Sequence, residues 1–112
     1  MNNLKTLQEI CKVLGVTRRA VQGYEAAGLV TATTRNKYGY LLYGEVEQKR
    51  IGKIKLYQQF GFKIKEIKYL IDAPNHIAKE ALERQVEKLK EEHKQIDMLI
   101  VKAEALIEEL SK

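Results

Sequence analysis

The stretch VTRRAVQGYEAAG, from Val16 to Gly28, has the pattern of a short helix with a defined beginning and end. Thr17 is a favoured N-cap residue, and Gly28 is of the type that commonly follows the last turn of a helix. Gly23 lies between them, where glycine costs about 1 kcal/mol relative to alanine. The sequence therefore predicts a helix that begins with two adjacent arginines and has no side chain at a central position.

A second short helix is predicted immediately before this stretch. The segment from Thr6 to Glu9 matches a capping box, in which a hydroxyl is followed three residues later by a carboxylate. Apolar residues then recur at helical spacing up to the terminating Gly15, namely Leu7, Ile10, Cys11 and Leu14. Two short helices joined by a turn that a glycine opens form a helix-turn-helix pattern.

The two faces of the helix after Thr17 differ in chemistry. At about 100° per residue, the inward side holds Ala20, Val21, Tyr24 and Ala27, and the outward side holds Arg18, Arg19, Gln22, Gly23 and Ala26. Arginine and glutamine can pair with base edges in a DNA major groove, and small residues permit close approach. The other interpretation is an exposed basic face that tolerates a glycine.

The segment TTRNKYGYLLYG, residues 33–44, predicts a tight β-hairpin. Asn36 and Gly39 suit the turn, and cations and aromatic residues surround it, namely Arg35, Lys37, Tyr38, Tyr40 and Tyr43. Such a tip can pack along a sugar-phosphate backbone, with hydroxyls and cations meeting phosphates. The alternative is that the tyrosines pack the hairpin onto the core. We favour this alternative for Tyr43 and leave it open for the other two.

Two more helices are predicted between the hairpin and Pro74, a residue that breaks helices. The first has its apolar residues at Val46, Ile51, Ile54 and Tyr57, with Leu56 as a further candidate, and ends near Phe60-Gly61. The second turns Phe62, Ile64, Ile67, Leu70 and Ile71 inward. Its lysines, Lys63, Lys65 and Lys68, are interpreted mostly as a solvated face.

Charge is unevenly distributed along the chain. Residues 1–72 carry 13 Lys and Arg against 6 Asp and Glu, a net charge of +7, whereas residues 73–112 carry 7 against 9, a net charge of −2. A basic front half indicates a polyanionic partner. A single cysteine, Cys11, allows no intrachain disulfide, and no apolar run approaches the length of a membrane span. We therefore expect a cytoplasmic protein with no membrane contact.

The rear half predicts one long helix with a heptad seam, spaced alternately by four and three residues. The seam consists of Leu82, Val86, Leu89, His93, Ile96, Ile100, Ala103, Ile107 and Leu110. An isolated helix cannot bury such a seam, and a second copy with two-fold symmetry is the simplest partner. His93 is interpreted as a register-setting or partly solvated residue rather than a metal ligand. Near the C-terminus the apolar surface widens over residues 98–101, which an antiparallel partner's front domain could cover.

Residues 4–71 resemble the winged helix-turn-helix of the MerR family of bacterial transcription regulators. The matching stretches are Leu14-Gly15-Val16-Thr17-Arg18-Arg19, Tyr24-Glu25 with Gly28-Leu29, Gly39-Tyr40 with Leu42-Tyr43, and Phe60-Gly61-Phe62 before Ile67. The resemblance implies that the second helix enters the major groove and that the hairpin, or wing, touches the flanking backbone. It implies DNA contacts for Thr17, Arg18, Arg19 and Tyr24 in the helix, and for Arg35 and Tyr40 in the wing. It also implies an antiparallel dimer.

Two departures from the family pattern alter the expected contacts. Relatives usually have Arg-Tyr where this chain has Gln22-Gly23, and arginine where it has Leu41. We therefore expect a different target sequence, with Arg18, Lys37 and Tyr38 partly replacing the missing contacts.

The sequence thus predicts a mainly α fold, with a winged helix-turn-helix DNA-binding domain at 1–72 and an antiparallel coiled-coil dimerisation helix at 76–111. We expect a homodimeric regulator of a two-fold-symmetric promoter site, with double-stranded DNA and RNA polymerase at the promoter as partners. The alternatives are a coiled-coil protein-interaction adaptor and a small DNA-bending, excisionase-like factor. No glycine-rich phosphate loop, nucleophile–base pairing or paired metal motif stands out, so no enzyme activity, cofactor, metal or effector domain is expected.

Overall fold

A computed structural model describes residues 3–112, and the chain divides into two compact units, the first ending at Ala73 and the second beginning at Pro74. The first unit contains, in chain order, β1 (Lys5–Thr6), α1 (Leu7–Leu14), α2 (Arg18–Ala26), β2 (Thr34–Arg35), β3 (Leu41–Tyr43), α3 (Glu45–Gln59) and α4 (Ile64–Leu70). The second unit is the single helix α5 (Asn75–Leu110). The predicted mainly helical fold with a small β-hairpin is confirmed.

Local capping explains where α1 begins and ends and where α2 begins. The Thr6 hydroxyl accepts from the Glu9 amide at 3.2 Å, and the Glu9 carboxylate accepts from the Thr6 amide at 2.9 Å, completing the predicted capping box. Gly15 ends α1 with a left-handed φ of 67°. The Thr17 hydroxyl then accepts from the Ala20 amide at 3.0 Å and starts α2.

The hairpin belongs to a three-stranded antiparallel sheet with the order β1-β3-β2. The predicted pair is present, with Thr34 opposite Leu42 and Arg35 opposite Leu41. The third strand was not predicted, because Lys5 and Thr6 are too few to show an alternating pattern. Thr6 lies opposite Leu42 and also caps α1, so the first helix is joined directly to the hairpin.

The core of the first unit lies among α1, α2, α3, α4 and β3. Its fully buried side chains are Tyr43, Ile10, Leu29, Ile51, Ile54, Ile67 and Val21. Two expectations for α3 are wrong, since Val46 is 76% exposed and Leu56 is 46% exposed. Val46 lies in the first turn of α3, before the first buried residue of the helix, Ile51. Leu56 is next to the buried Tyr57 in the chain and therefore lies on a different side of the helix.

The helix α5 has 36 residues and would be about 54 Å long at 1.5 Å per residue. Along the predicted seam, Leu82 is half-buried and the other side chains are exposed in the single chain. Ile96, Ile100, Ile107 and Leu110 are each at least 50% exposed. An exposed apolar surface of this extent is typical of a surface that binds a partner.

Candidate nucleic-acid interface

The outward face of α2 is the first part of the candidate interface. Arg18, Arg19, Gln22 and Gly23 are all exposed, while Val21 on the opposite side is fully buried. A side-chain Cβ built at Gly23 would have no atom within 4 Å. The glycine therefore does not make room for the wing or for any other described part of the protein. The face presents two guanidinium groups and an amide beside bare backbone.

Tyr24 of α2 packs against α3 in the core. Its side chain is only 2% exposed, and its hydroxyl donates to Gln58 Oε1 of α3 at 2.6 Å. Burial also raises the pKa of the Tyr24 hydroxyl. Its position on the inward face of α2 predicted this packing. Tyr24 fixes α2 on α3, and the DNA contact that the resemblance implies for it stays a prediction.

The turn of the wing is held by its own polar groups. The Asn36 side-chain oxygen accepts from the amides of Tyr38 and Tyr40, at 2.9 and 3.0 Å. The Arg35 guanidinium donates to the carbonyl of Gly39 at 2.6 Å, across the same turn. Gly39 has a φ of 83°, a conformation that favours glycine. The tip thus has a defined shape without packing on the core.

Two tyrosines and a lysine stand out from this turn. Tyr38 is 70% exposed and Tyr40 is 65% exposed, and their ring centroids lie 6.4 Å apart. The Lys37 ammonium lies 5.1 Å from the centre of the Tyr38 ring. By contrast, Tyr43 is fully buried, so the core-packing alternative is confirmed for Tyr43 alone. The tip can offer aromatic surface and positive charge together to an anionic polymer.

A cleft of about 530 Å³ separates the wing from the two helices. Arg18 of α2 and Arg35 of β2 line it from different elements, together with Gln8 of α1 and Tyr40 of the wing. Two cations that converge on one cleft favour an anion such as a phosphate of a nucleic-acid backbone. The cleft therefore lies between the basic face of α2 and the wing, with an arginine from each element in its lining.

Two residues that support this surface were missed in the sequence. Arg50 of α3 donates to the Leu29 carbonyl and forms a bidentate pair with Asp72, at 2.8 Å for both bonds. This pair lowers the pKa of Asp72. Lys55, also in α3, contacts the end of α1. No local sequence pattern around Arg50 or Lys55 indicates a bonding partner that is so distant in the chain.

Comparison with known proteins assigns the chain to a family. The model of the MerR HTH family regulatory protein matches residues 5–73, and a second model, described as MerR, DNA binding, matches residues 48–112. The chain belongs to the MerR family of transcription regulators. Regulators of this family bind DNA, and the relatives are transcription regulators rather than enzymes.

Relatives in the MerR family share the fold over most of the chain. The HTH-type transcriptional activator mta of Bacillus subtilis is 29% identical over 94 residues, 84% of this chain and 37% of that protein. CueR of Escherichia coli O157:H7 is 27% identical over 96 residues, 83% of this chain and 71% of that protein. The crystal structure of the N-terminal part of Mta superposes with a TM-score of 0.72 and 26% identity, covering 92% of this chain and 97% of that chain.

A structure of HiNmlR, a MerR family regulator lacking the sensor domain, was solved with promoter DNA bound to it. The superposition covers 87% of this chain and 78% of the HiNmlR chain, with a TM-score of 0.71 and 16% identity. This is a likeness of fold. The present chain spans little more than a third of the length of the Bacillus subtilis activator.

Residues 3–112 were compared with the side-chain clusters that hold metal ions and with the helices that span membranes. No three His, Cys, Asp or Glu side chains of this region cluster in a way that could hold a metal ion. His93 is exposed on α5, where its Nε2 lies 3.5 Å from an Asp97 carboxylate oxygen. Within the same range, every helix is too short or too polar to cross a membrane.

Proposed function

We propose that the chain is a sequence-specific DNA-binding transcriptional regulator that acts as a homodimer on a two-fold-symmetric promoter site. The observation that carries the proposal is the outward face of α2, where Arg18, Arg19 and Gln22 are exposed beside a glycine that has open space around it. We therefore name α2 the recognition helix. Its arginines and glutamine are suited to base edges in a major groove.

The wing contributes sequence-independent contacts to the flanking backbone. Lys37, Tyr38 and Tyr40 are exposed on a turn of fixed shape, and Arg35 and Arg18 line the cleft beside it. Phosphate contacts of this kind orient a protein on the duplex but carry no sequence information themselves. This division between base contacts and backbone contacts predicts that α2 determines which DNA sequence is preferred. It also predicts that the wing accounts for much of the salt dependence of DNA binding.

The homodimer is proposed from the exposed seam of α5. The seam keeps a strict alternation of four and three residues from Leu82 to Leu110, as two helices in a coiled coil require. An antiparallel pair related by a two-fold axis would place the two recognition helices on the two halves of a symmetric site.

Selection from random DNA duplexes followed by sequencing tests the proposal. Purified protein should enrich an inverted repeat, and the enriched duplex should bind more tightly than a scrambled duplex of identical composition. Enrichment of sequences with no shared motif, together with equal affinity for the scrambled duplex, would contradict sequence-specific recognition. A footprint that protects only one half of the enriched duplex would contradict the symmetric dimer.

A coiled-coil adaptor that binds another protein is the second candidate. It is favoured by the exposed apolar side chains beyond the seam, at Met98, Leu99 and Val101. Sedimentation of the purified chain distinguishes the two functions, because an adaptor that awaits a different partner would remain a monomer. The proposed regulator sediments as a dimer without any added protein.

Contact with RNA polymerase at the promoter and a cytoplasmic location follow from the proposed regulatory role. Polymerase recruitment would be seen as a larger complex when polymerase is added to the protein on its promoter duplex. The excisionase-like alternative also allows a symmetric site whose DNA is bent by the protein. It differs from the proposed function because it predicts bending without sequence-dependent control of transcription.

A further inference from the structure

A lysine of α3 lies against the turn between α1 and α2. Lys55 Nζ donates to the carbonyl of Leu14 at 3.0 Å and to the carbonyl of Gly15 at 2.9 Å. These residues lie 41 and 40 positions away in the chain. We infer that Lys55 is a positioning residue that sets the angle of the recognition helix, and this inference rests on the proposed DNA-binding function.

The two carbonyls lie at the end of α1. The carbonyls in the last turn of a helix receive no hydrogen bond from backbone amides of the same helix. The helix dipole also makes this end favourable for a cation. Lys55 therefore supplies two charge-assisted hydrogen bonds to backbone groups that local structure leaves underused. A bond to backbone fixes the path of the chain itself rather than the orientation of one side chain.

The conformation of Gly15 makes the arrangement specific. Gly15 has a φ of 67°, and a Cβ built there would lie 3.0 Å from Lys55 Nζ. The ammonium thus occupies the space that a side chain would take. The left-handed backbone conformation favours glycine at this position, and a larger side chain would also have to displace the lysine ammonium.

The turn held by Lys55 leads directly into the DNA-facing residues. Val16 is buried, Thr17 caps the recognition helix, and Arg18 and Arg19 form its first turn. A small rotation at Gly15 would therefore displace both arginines relative to the wing. Lys55 acts through the backbone and need not touch DNA to affect sequence preference.

Replacement of Lys55 by methionine keeps the length of the side chain and removes the donors. We expect the ratio of affinities for the selected duplex and its scrambled form to fall about tenfold, the effect of losing a charge-assisted hydrogen bond. Lys55→Arg should restore most of the ratio. Lys49→Met, at an exposed lysine of the same helix, is the control for loss of charge and should keep the wild-type ratio.

The salt dependence of binding separates positioning from a direct phosphate contact. For a positioning residue, the slope of log affinity against log salt on the scrambled duplex stays at the wild-type value. A slope that falls by about one unit would overturn the inference, because it marks a lost phosphate contact. An unchanged affinity ratio with a lowered melting temperature would also overturn it, since Lys55 would then be structural only.

The measurement uses the full chain well below its melting temperature. If Lys55→Met does not fold, Lys55→Gln replaces it, since an amide can donate one of the two bonds. The affinity ratio of Lys55→Gln should be lower than that of Lys55→Arg and higher than one, the value for a protein that does not discriminate between the duplexes. An affinity ratio equal to wild type in Lys55→Gln would overturn the inference. Failure of the proposed function is recognised separately, because the wild-type protein itself would then bind both duplexes equally.

Discussion

The hydroxyl of Tyr43 donates a hydrogen bond to a carboxylate oxygen of Glu25 at 2.9 Å and so joins the wing to the recognition helix. Tyr43 is fully buried at the end of β3, and Glu25 is in the last turn of α2. Burial, and then the hydrogen bond to Glu25, raises the pKa of the Tyr43 hydroxyl. The hydroxyl therefore remains a donor at neutral pH, and the recognition helix and the wing share a part-buried hydrogen bond.

Tyr43→Phe should lower the free energy of unfolding by about 1–2 kcal/mol, because the half-buried Glu25 carboxylate loses its donor. Urea denaturation at neutral pH measures the change. Tyr69→Phe is the matched control, since Tyr69 is an exposed tyrosine of α4 and should change stability little. Equal stability of Tyr43→Phe and wild type would show that the bond contributes nothing.

The same pair predicts how stability changes in alkaline solution. The folded-state pKa of Tyr43 lies above its ordinary value of 10.0, so its contribution is complete below that pH. The contribution then decreases as the pH rises from 10.0 toward the folded-state pKa, because the unfolded state gives up the proton first. The stability difference between wild type and Tyr43→Phe should shrink over that range. A stability difference that stays constant over this pH range would contradict a raised pKa for Tyr43 in the folded protein.

Arg19→Ala and Lys37→Ala should affect DNA binding differently. We expect Arg19→Ala to cost about 1–3 kcal/mol on the selected duplex and to relax preference at one base pair of each half-site. Lys37→Ala should weaken binding to selected and scrambled duplexes alike and reduce the salt slope by about one. Fluorescence anisotropy at several salt concentrations gives both quantities. Identical behaviour of the two variants would refute the division between base and backbone contacts.

Gly23 provides a test of close approach by the recognition helix. Gly23→Ala should stabilise the free protein by up to about 1 kcal/mol, because alanine is the better helix former. Gly23→Tyr should leave the melting temperature nearly unchanged, since no atom lies within 4 Å of the position, and should alter affinity for the selected duplex.

Gly52→Ala serves as the control for Gly23, because it adds a methyl group in equally open space on α3. It should stabilise the protein without changing DNA preference. Normal binding of the selected duplex by Gly23→Tyr would show that the helix does not approach DNA closely at this point.

The seam of α5 predicts the effect of charge on assembly. Replacing Ile96 and Ile100 by aspartate would bury two carboxylates between helices, and we expect monomers that bind DNA poorly. Aspartates at Gln95 and Ala105, on the other faces of the helix, are the control and should leave the dimer intact. Analytical ultracentrifugation distinguishes the species. A dimer of the Ile96 and Ile100 double variant would mean that another surface mediates association.

Local sequence patterns predicted much of the first unit. The hydroxyl at Thr17 and the glycine at Gly15 specify backbone conformations through contacts a few residues away, so the ends of α1 and α2 were correctly placed. The alternation around Tyr43 likewise predicted β3 and its buried tyrosine. These features depend on interactions within one element or one turn, which a single sequence can show.

The remaining features depend on contacts between distant residues. The strand at Lys5 and Thr6 exists only because it pairs with β3, and Leu29 is buried in a loop that has no periodic pattern. The partners of Arg50 and Lys55 also lie in other elements. For Tyr24, by contrast, the position within α2 was enough to predict burial, which the structure shows. The DNA contact of Tyr24 was implied by resemblance alone.

The most direct test of the central claim is a base-modification interference experiment in the major groove. Replacing single purines of the selected duplex with their 7-deaza analogues removes only the N7 acceptor, which faces the major groove. We predict that a few positions, placed symmetrically in the two halves, lose affinity for the wild-type protein, and that Arg19→Ala no longer senses at least one of them. Uniform affinity across all modified positions would contradict recognition of DNA by α2.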